Sequence, residues 1–219
     1  EQAKPDQATF ITGIPESEVI GDEPHLAKGH YLKIMKSVEV YAYVEHKKTK
    51  KEEHADAGRG SRDSKPEYSY TLEWTATPKE IQGFNRGFWD EYRKRNRIPI
   101  NTANPVITDA EKEPRAVYAL AKLNGYDIET REVDFRGGEQ SLGRVYLRGK
   151  ENLPRHGDKR IAYRAYPSGI EYTFAGSLSN KKLTRYYHNE NHAMPVAAPG
   201  SFHALIAALK QTERVKGSL

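Results

Sequence analysis

Cysteine is absent from this chain. Disulfide bonds, thiolate metal sites and cysteine nucleophiles are therefore excluded, while the redox compartment stays open. Long apolar runs are also missing. The mean hydropathy is −0.85, and no stretch approaches the roughly 20 apolar residues that a membrane-spanning helix needs. The sequence therefore predicts no membrane-crossing segment within these residues.

A clear excess of one charge is lacking too. The 35 Lys and Arg residues stand beside 30 Asp and Glu residues, which leaves a net charge of +5. Mixed charge of this kind is typical of a solvated surface, whereas a nucleic-acid footprint clusters on one face. Aliphatic residues are sparse, but 14 Tyr, 6 Phe and 2 Trp are available to fill a core, since each ring buries a large area.

Two segments carry the strongest strand signal. Residues 38–46 and 68–74 alternate with period two, which predicts half-buried strands. Sequential strands usually pair, so we expect one antiparallel sheet in which the charged segment 47–67 is an exposed connection. The predicted core face is Val38, Val40, Ala42 and Val44; the opposite face is Glu39, Tyr41, Tyr43 and Glu45. In the second strand, one face holds Tyr68, Tyr70, Leu72 and Trp74.

Other segments complete a fold prediction of class α+β, strand-rich, with antiparallel sheet and a few packed helices. Further strands are predicted at 8–14, 128–135, 144–147 and 183–187. A hairpin is predicted from 160–165 and 170–174, because Pro167-Ser168-Gly169 is a turn sequence. Residues 16–29 and 189–200 read as loops, and residues 79–99 are ambiguous between helix and loop. The whole chain, 1–219, reads as a single domain with a disordered start at 1–7.

Two helices are predicted from capping and periodicity. Thr108 and Glu111 have the spacing of a capping box, so a helix is expected over 109–124, ended by Asn124-Gly125. Ser201 precedes a second helix, over 201–213. Its apolar stripe lies at Phe202, Leu205, Ile206 and Leu209. Packing on the sheet is the first interpretation of this stripe, and a membrane surface is the alternative.

A complete catalytic motif is not found. Gly58-Arg59-Gly60 lacks the third glycine of a phosphate-binding loop, and no Gly-x-Ser-x-Gly elbow occurs. His188, Glu190 and His192 could share a helix face and bind zinc, which leaves a metal-dependent hydrolase around 188–192 as one alternative. Asn189, however, stands where metalloprotease chemistry needs glutamate. We therefore expect no catalytic residues, no metal and no cofactor.

Three glutamates on the predicted strands are candidates for paired carboxylates. Glu39, Glu45 and Glu73 alternate with core positions, so we expect all three to point away from the core together. Solvated or recognition groups are the interpretation that follows from this position.

A second alternative is nucleic-acid binding through an aromatic and basic patch. Aromatic rings can stack on bases while cations hold phosphates. The residues of this patch are Phe88, Trp89, Tyr92, Arg93, Lys94, Arg95 and Arg97. The segment 47–67 is a weaker candidate, since its acids nearly balance its bases.

The strand motifs resemble the transmembrane protein 43 (LUMA) family. That family carries a Val-Glu-Met-Tyr-Gln-Trp-type segment, then a Tyr-x-Tyr-x-x-Glu-Trp segment, then a Gly-Asp-x-Arg segment. Here Ala42 and Tyr43 replace the Gln and Trp of the first segment. The matching positions are Val38, Glu39, Tyr41, Tyr43, Glu45, Tyr68, Tyr70, Glu73, Trp74, Gly157, Asp158 and Arg160. The order and rough spacing agree across residues 8–190.

The resemblance implies a hydrophilic domain held between the first two membrane segments of a multi-pass protein. We therefore expect apolar segments before Glu1 and after Leu219 in the native gene product. The domain would lie in the periplasm of bacteria or in the endoplasmic-reticulum lumen of eukaryotes. Family roles imply a non-catalytic scaffold that binds a protein partner or self-associates; none implies a catalytic residue or cofactor.

Overall fold

The computed structural model describes residues 8–48, 66–188 and 191–216. Strands account for 49% and helices for 17% of the structure. The prediction of a strand-rich, largely antiparallel fold with a few helices is therefore confirmed, with more strand than the term α+β suggests. The predicted disordered start at 1–7 and most of the 47–67 connection lie outside the described residues.

The strands follow one another with mostly short connections. The first six are β1 (Thr9–Gly13), β2 (Glu16–Ser17), β3 (Ile20–Asp22), β4 (Leu26–Gly29), β5 (Tyr31–Lys48) and β6 (Glu67–Thr75). The next six are β7 (Ala116–Tyr118), β8 (Leu120–Leu123), β9 (Tyr126–Glu129), β10 (Asp134–Phe135), β11 (Gln140–Arg148) and β12 (Lys159–Pro167). The remaining ones are β13 (Tyr172–Ser179), β14 (Lys182–Thr184), β15 (Tyr186–His188), β16 (Asn191–Ala193) and β17 (Val196–Pro199).

Helices are few among the described residues. They are α1 (Arg86–Arg95), α2 (Asp109–Lys112) and α3 (Phe202–Lys216), with 3₁₀ turns at Ile81–Gly83 and Thr130–Glu132. None of these helices is long and apolar enough to cross a membrane.

The described residues form two compact units. The first unit contains the described parts of 1–36, 113–144 and 162–219, and the second those of 37–112 and 145–161. Strands β5, β11 and β12 each have residues in both units.

The first unit is built on an eight-stranded sheet of order β10–β17–β13–β14–β9–β8–β2, with β1 also paired to β13. Strand β13 is at its centre and is buried on both faces. On one face, Tyr172 and Phe174 join a core with Phe135, Tyr166 and Leu32. On the other, Ala175 packs with Leu205 of α3. The predicted C-terminal helix is thus present, and Leu205 is fully buried.

The second unit contains an antiparallel pair and an aromatic core. Residues of β5 from Val40 to Lys48 pair with β6 in continuous register, which confirms the predicted partnership of 38–46 with 68–74. These strands belong to a five-stranded sheet of order β11–β12–β5–β6, in which β7 also pairs with β5. Tyr70, Ile81, Phe84 and Trp89 form the core. The segment 79–99, which the sequence left open between helix and loop, is helical from Arg86 to Arg95.

The predicted helix over 109–124 is wrong beyond its first turn. The capping box forms, with Thr108 N donating to Glu111 Oε2 at 2.8 Å and Glu111 N to Thr108 Oγ1 at 3.3 Å. The helix ends at Lys112, because a proline at 114 disfavours helical backbone at the preceding residue. After it, Ala121 and Leu123 are buried while Leu120 is 66% exposed. This alternation belongs to strand β8.

Asn124-Gly125 is a hairpin turn and not a helix end. Both residues have positive φ, 51° and 82°, as a two-residue hairpin turn requires. Strands β8 and β9 pair across it, with Leu123 opposite Tyr126. The local sequence fits either structure, since glycine or asparagine with positive φ is common at both kinds of site.

The predicted hairpin of 160–165 with 170–174 is also wrong. Both strands exist, and Ile161, Tyr163 and Ala165 are buried as expected. Strand β12, however, lies between β11 and β5, whereas β13 pairs with β1, β14 and β17. The turn at 167–169 therefore passes the chain from one sheet to another.

Two predicted loops contain strands. Residues 16–29 contain β2, β3 and β4, and residues 189–200 contain β17, whose first three residues are buried. These strands are too short for a periodicity argument. A turn at 179–181 joins β13 to β14, which pair across it, and Asn180 and Lys181 in this turn have positive φ.

Candidate functional site

The register of β5 with β6 decides which family-motif residues meet. Tyr41 lies opposite Trp74, and Glu45 opposite Tyr70. Directly opposed residues share a face of the sheet, so this face carries Glu39, Tyr41, Tyr43 and Glu45 from β5. The face predicted to point away from the core is therefore covered, and none of these four residues is exposed.

One group on this face, the arginine cluster, consists of Arg160, Glu39, Trp74 and Tyr41. Arg160 Nε donates to Glu39 Oε2 at 2.6 Å, and the two side chains are 11% and 22% exposed. The guanidinium lies 4.2 Å from the Trp74 ring centroid, a cation–π distance. The Tyr41 ring also packs against Trp74, with 5.3 Å between the ring centroids. Charge, planarity and ring stacking thus all favour arginine at position 160.

The third motif segment joins the arginine cluster through the backbone. Tyr41 N donates to Asp158 O, and Gly157 N donates to Tyr41 O, both at 2.9 Å. The Asp158 side chain is buried, and its Oδ2 accepts from Arg155 N at 2.8 Å. Gly157 has φ 91°, a value that glycine adopts without the strain of a Cβ. Residues 157 and 158 are therefore fixed against β5 just before strand β12 begins.

A second group, the tyrosine cluster, consists of Glu45, Tyr70 and Asn85. Glu45 lies six residues beyond Glu39 along β5. Glu45 Oε2 accepts from Tyr70 Oη at 2.8 Å and from Asn85 N at 2.6 Å. Tyr70 Oη also lies 3.1 Å from Asn85 O. Burial, with the Glu45 carboxylate as a smaller cause, raises the pKa of Tyr70 well above its ordinary value. Tyr70 therefore keeps its proton and donates a hydrogen bond to Glu45.

The side-chain amide of Asn104 hydrogen-bonds to the backbone of β5 at Tyr43. Its Oδ1 accepts from Tyr43 N at 2.9 Å, and its Nδ2 donates to Tyr43 O at 2.8 Å and Lys79 O at 2.9 Å. The His156 ring packs on Tyr43 at 5.1 Å between centroids. Burial lowers the pKa of His156, so the imidazole is held in its neutral form near pH 7.

A further charge pair joins α2 to the start of β12. Lys159 Nζ donates to Glu111 Oε1. Hydrogen bonds from Lys159 and from Thr108 lower the pKa of Glu111 to about 2. Acid strong enough to protonate Glu111 would therefore weaken its ion pair with Lys159.

The prediction that three glutamates point away from the core together is wrong. Glu73 lies opposite Ala42, so it is on the face of Val40 and Ala42, opposite to that of Glu39 and Glu45. Its Oε2 accepts from Thr71 Oγ1 at 2.7 Å and lies 3.5 Å from His46 Nε2. Glu39 and Glu45 are half-buried and hydrogen-bonded. A carboxylate pair is therefore not formed.

Of the aromatic residues in the predicted nucleic-acid patch, Trp89 belongs to the core and Tyr92 packs against it, whereas Phe88 is 43% exposed. Trp89 is 6% exposed and lies within 5.7 Å, between ring centroids, of Tyr70, Phe84, Tyr43 and Tyr92. Phe88 packs on Tyr68 at 5.3 Å. Arg93 pairs with Asp90 at 2.8 Å. Lys94, Arg95 and Arg97 are exposed at the end of α1, where positive charge suits the helix dipole.

The proposed histidine site does not have a helical backbone. His188 is opposite Asn191, and Tyr187 opposite His192, in the β15–β16 hairpin, so no helix face is shared. Glu190 and the side chains of both histidines lie outside the described residues. Within the described ranges, no group of three or more His, Asp or Glu side chains is placed to hold a metal ion.

Three residues in and around these clusters were not predicted from the sequence. Asn85 precedes α1 and its Oδ1 accepts from Phe88 N at 3.5 Å; asparagine before a helix is a capping signal. Asn104 precedes a proline, which signals a turn but not a strand partner. The Tyr146 ring packs edge-on against Trp74, with 5.9 Å between ring centroids, and nothing in the local sequence signals that contact.

The arrangement is suited to holding segments together more than to chemistry on a substrate. In both clusters, each charged group is engaged by another residue of the same cluster, and the rings pack on one another. Comparisons with protein-family models, with curated proteins and with solved structures find no match to this chain.

Proposed function

We propose that this chain is the non-catalytic extramembrane domain of a membrane-anchored scaffold or interaction protein, as its resemblance to the transmembrane protein 43 family implies. The observation that carries the proposal is the meeting of three motif segments in the arginine cluster. Glu39, Trp74 and Arg160 are far apart in the sequence and in direct contact in the fold.

The contacts of these residues favour a structural role for the shared motifs. Arg160 and Glu39 are mostly buried and neutralise each other. A general acid or base needs access to a reacting group, which a saturated ion pair under an indole ring does not offer. Motifs whose residues bind one another are expected where a fold is shared without a shared catalytic site.

The resemblance also supplies the place and the partners. Membrane segments on either side of the domain would hold it in the periplasm or in the endoplasmic-reticulum lumen. A protein partner, or a second copy of the chain, is the expected ligand. The proposal assigns no cofactor.

Membrane extraction of the native gene product tests the anchoring. Its sequence should contain apolar segments of about 20 residues on both sides of these 219. The full-length protein should stay in the membrane pellet after alkaline carbonate, while the 219-residue chain expressed alone should be released. Release of the full-length protein, or a native chain without apolar segments, would contradict the proposal.

Protease protection tests the side of the membrane. The domain should be cleaved in permeabilised periplasm or lumen and protected from protease added on the cytoplasmic side. Cytoplasmic cleavage would show that the orientation is wrong while leaving the anchoring intact.

A further inference from the structure

The end of β11 and the loop that follows it combine exposed cations with exposed leucines. Arg148, Lys150 and Arg155 are exposed, and no ion pair of theirs occurs among the described residues. Leu147 is 44% and Leu153 74% exposed. Long apolar side chains between unpaired cations are typical of surfaces that enter the headgroup region of a bilayer.

The three cations border one cavity of about 480 Å³, together with Leu153, His156 and Asp158. The cavity therefore has three positive groups and one carboxylate. Asp158 is buried and accepts a hydrogen bond from Arg155 N, so part of its charge is already compensated. Burial lowers the pKa of His156, which leaves that wall neutral. Glu151 is an acid of the same segment and is exposed.

The base of this segment is held in place by glycine. Gly149 has φ 93°, and a Cβ there would overlap the Asp158 carboxylate. Any other residue would strain the backbone and displace that group. The loop thus presents its cations from a fixed base, which lowers the entropic cost of binding.

We propose that the 147–155 segment is a docking surface for anionic phospholipid headgroups. The cations bind phosphate groups and Leu153 inserts at the boundary with the acyl chains. This inference rests on the proposed function only in that a domain anchored beside a bilayer has this surface within reach. Charge complementarity and the neighbouring exposed leucines favour a lipid surface over free phosphate, which offers nothing for the leucines.

Vesicle co-sedimentation of the purified 219-residue chain tests the docking surface. Binding should be stronger to vesicles of phosphatidylcholine mixed with phosphatidylserine than to phosphatidylcholine alone, and should weaken as salt is raised. The triple variant Arg148→Gln/Lys150→Gln/Arg155→Gln should bind about a hundredfold less tightly, since each cation near an anionic surface contributes about fivefold. Leu153→Ser should lose about tenfold.

Two control variants separate this surface from net charge and general hydrophobicity. Lys94→Gln/Arg95→Gln/Arg97→Gln removes the same charge from the end of α1, and Leu120→Ser removes a leucine that is 66% exposed. Both should bind nearly as well as the unaltered chain. Circular dichroism should show all variants folded, because the altered side chains are exposed.

Several outcomes would overturn the inference. They are equal binding to both vesicle types, an equal loss in the α1 control, no effect of Leu153→Ser, or binding of inorganic phosphate without binding of vesicles. The proposed function is judged separately: a carbonate-resistant full-length protein whose domain ignores anionic vesicles would keep the anchoring and remove only this surface.

Discussion

Glu39 and Glu45 lie on the same face of strand β5, six residues apart, yet their carboxylates are stabilised in different ways. Glu39 binds the Arg160 guanidinium, a full opposite charge that is covered by Trp74. Glu45 accepts from a tyrosine hydroxyl and a backbone N–H, both neutral. The arginine cluster is therefore sensitive to loss of either partner's charge, while the tyrosine cluster depends on hydrogen-bond geometry.

Replacing Arg160 should have the largest effect, because it leaves the Glu39 carboxylate mostly buried and unpaired. Arg160→Met should lower the free energy of unfolding by about 3 kcal/mol. Urea unfolding followed by tryptophan fluorescence measures this, and Trp74 reports directly on the site.

Controls for Arg160 separate charge from packing. Glu39→Gln combined with Arg160→Met should recover part of the loss, because no unpaired charge remains. Arg164→Met removes an arginine whose side chain is 59% exposed and should cost less than about 1 kcal/mol. Equal losses at Arg160 and Arg164 would show that the arginine cluster does not stabilise the fold.

Replacing Glu45 should have the next largest effect. Glu45→Ala leaves the Asn85 N–H without its acceptor and removes one partner of Tyr70, which should cost about 2 kcal/mol. Tyr70→Phe keeps the ring packing and removes one hydroxyl, so about 1 kcal/mol is expected. The same unfolding measurement applies. A Tyr70→Phe variant that loses more than Glu45→Ala would mean that the Tyr70 hydroxyl, through its contact with Asn85 O, organises the tyrosine cluster more than the Glu45 carboxylate does.

The Glu111–Lys159 pair should make stability depend on acid. The pKa of Glu111 is lowered from 4.5 to about 2 in the folded chain, so the unfolded chain binds the proton more tightly. The stabilisation is present above pH 4.5 and is lost as the pH falls towards 2. Glu111→Gln should remove this part of the pH dependence, on the order of 1 kcal/mol after allowance for solvent screening.

A matched control is Glu113→Gln, which removes a neighbouring carboxylate that is 61% exposed. The unfolding free energy of each variant, measured at pH 5 and again near the acid limit of folding, gives the comparison. A Glu113 variant that flattens the acid profile as much as the Glu111 variant would contradict the assignment.

The smallest effect is expected at Glu73, on the opposite face of the strand pair. Its side chain is 44% exposed and meets His46, which is 42% exposed. Glu73→Gln should change the unfolding free energy by less than about 0.5 kcal/mol. A loss comparable to that of the Glu45 variant would mean that the two faces of the pair are less different than the register indicates.

Much of the strand pair could be predicted from its sequence. Alternation from Val38 to Ala42 identifies a buried face, and the structure buries all three apolar residues of that stretch. The segment Ala116–Glu129 could not be predicted so well. The capping box before this segment, Thr108 with Glu111, is genuine, but Leu120 and Ala121 fit a helix stripe and a strand alternation equally over so few residues. The proline at 114 was the local sign that the helix ends early.

The candidate site was predictable as a set of residues and not as a set of contacts. The motif resemblance identifies Glu39, Trp74 and Arg160 as motif positions. It does not predict that their side chains contact one another. Asn104 and Tyr146 carry no local signal, since each contributes through a partner distant in the chain. Alternation tells which face of a strand a residue is on and not what covers that face, so the burial of Glu39 and Glu45 could not be predicted from it.

The sequence by itself determined the absence of thiol chemistry, the strand pair, the buried side of β5 and the amphipathic C-terminal helix. These depend on composition and on periods of two or 3.6 residues, which are local properties of the backbone. The tertiary structure alone decided that β12 lies beside β5, that Arg160 meets Glu39 under Trp74, and that Trp89 is core. Those choices depend on which of several compatible faces come together, because hydrophobic burial specifies that a face is covered without naming its partner.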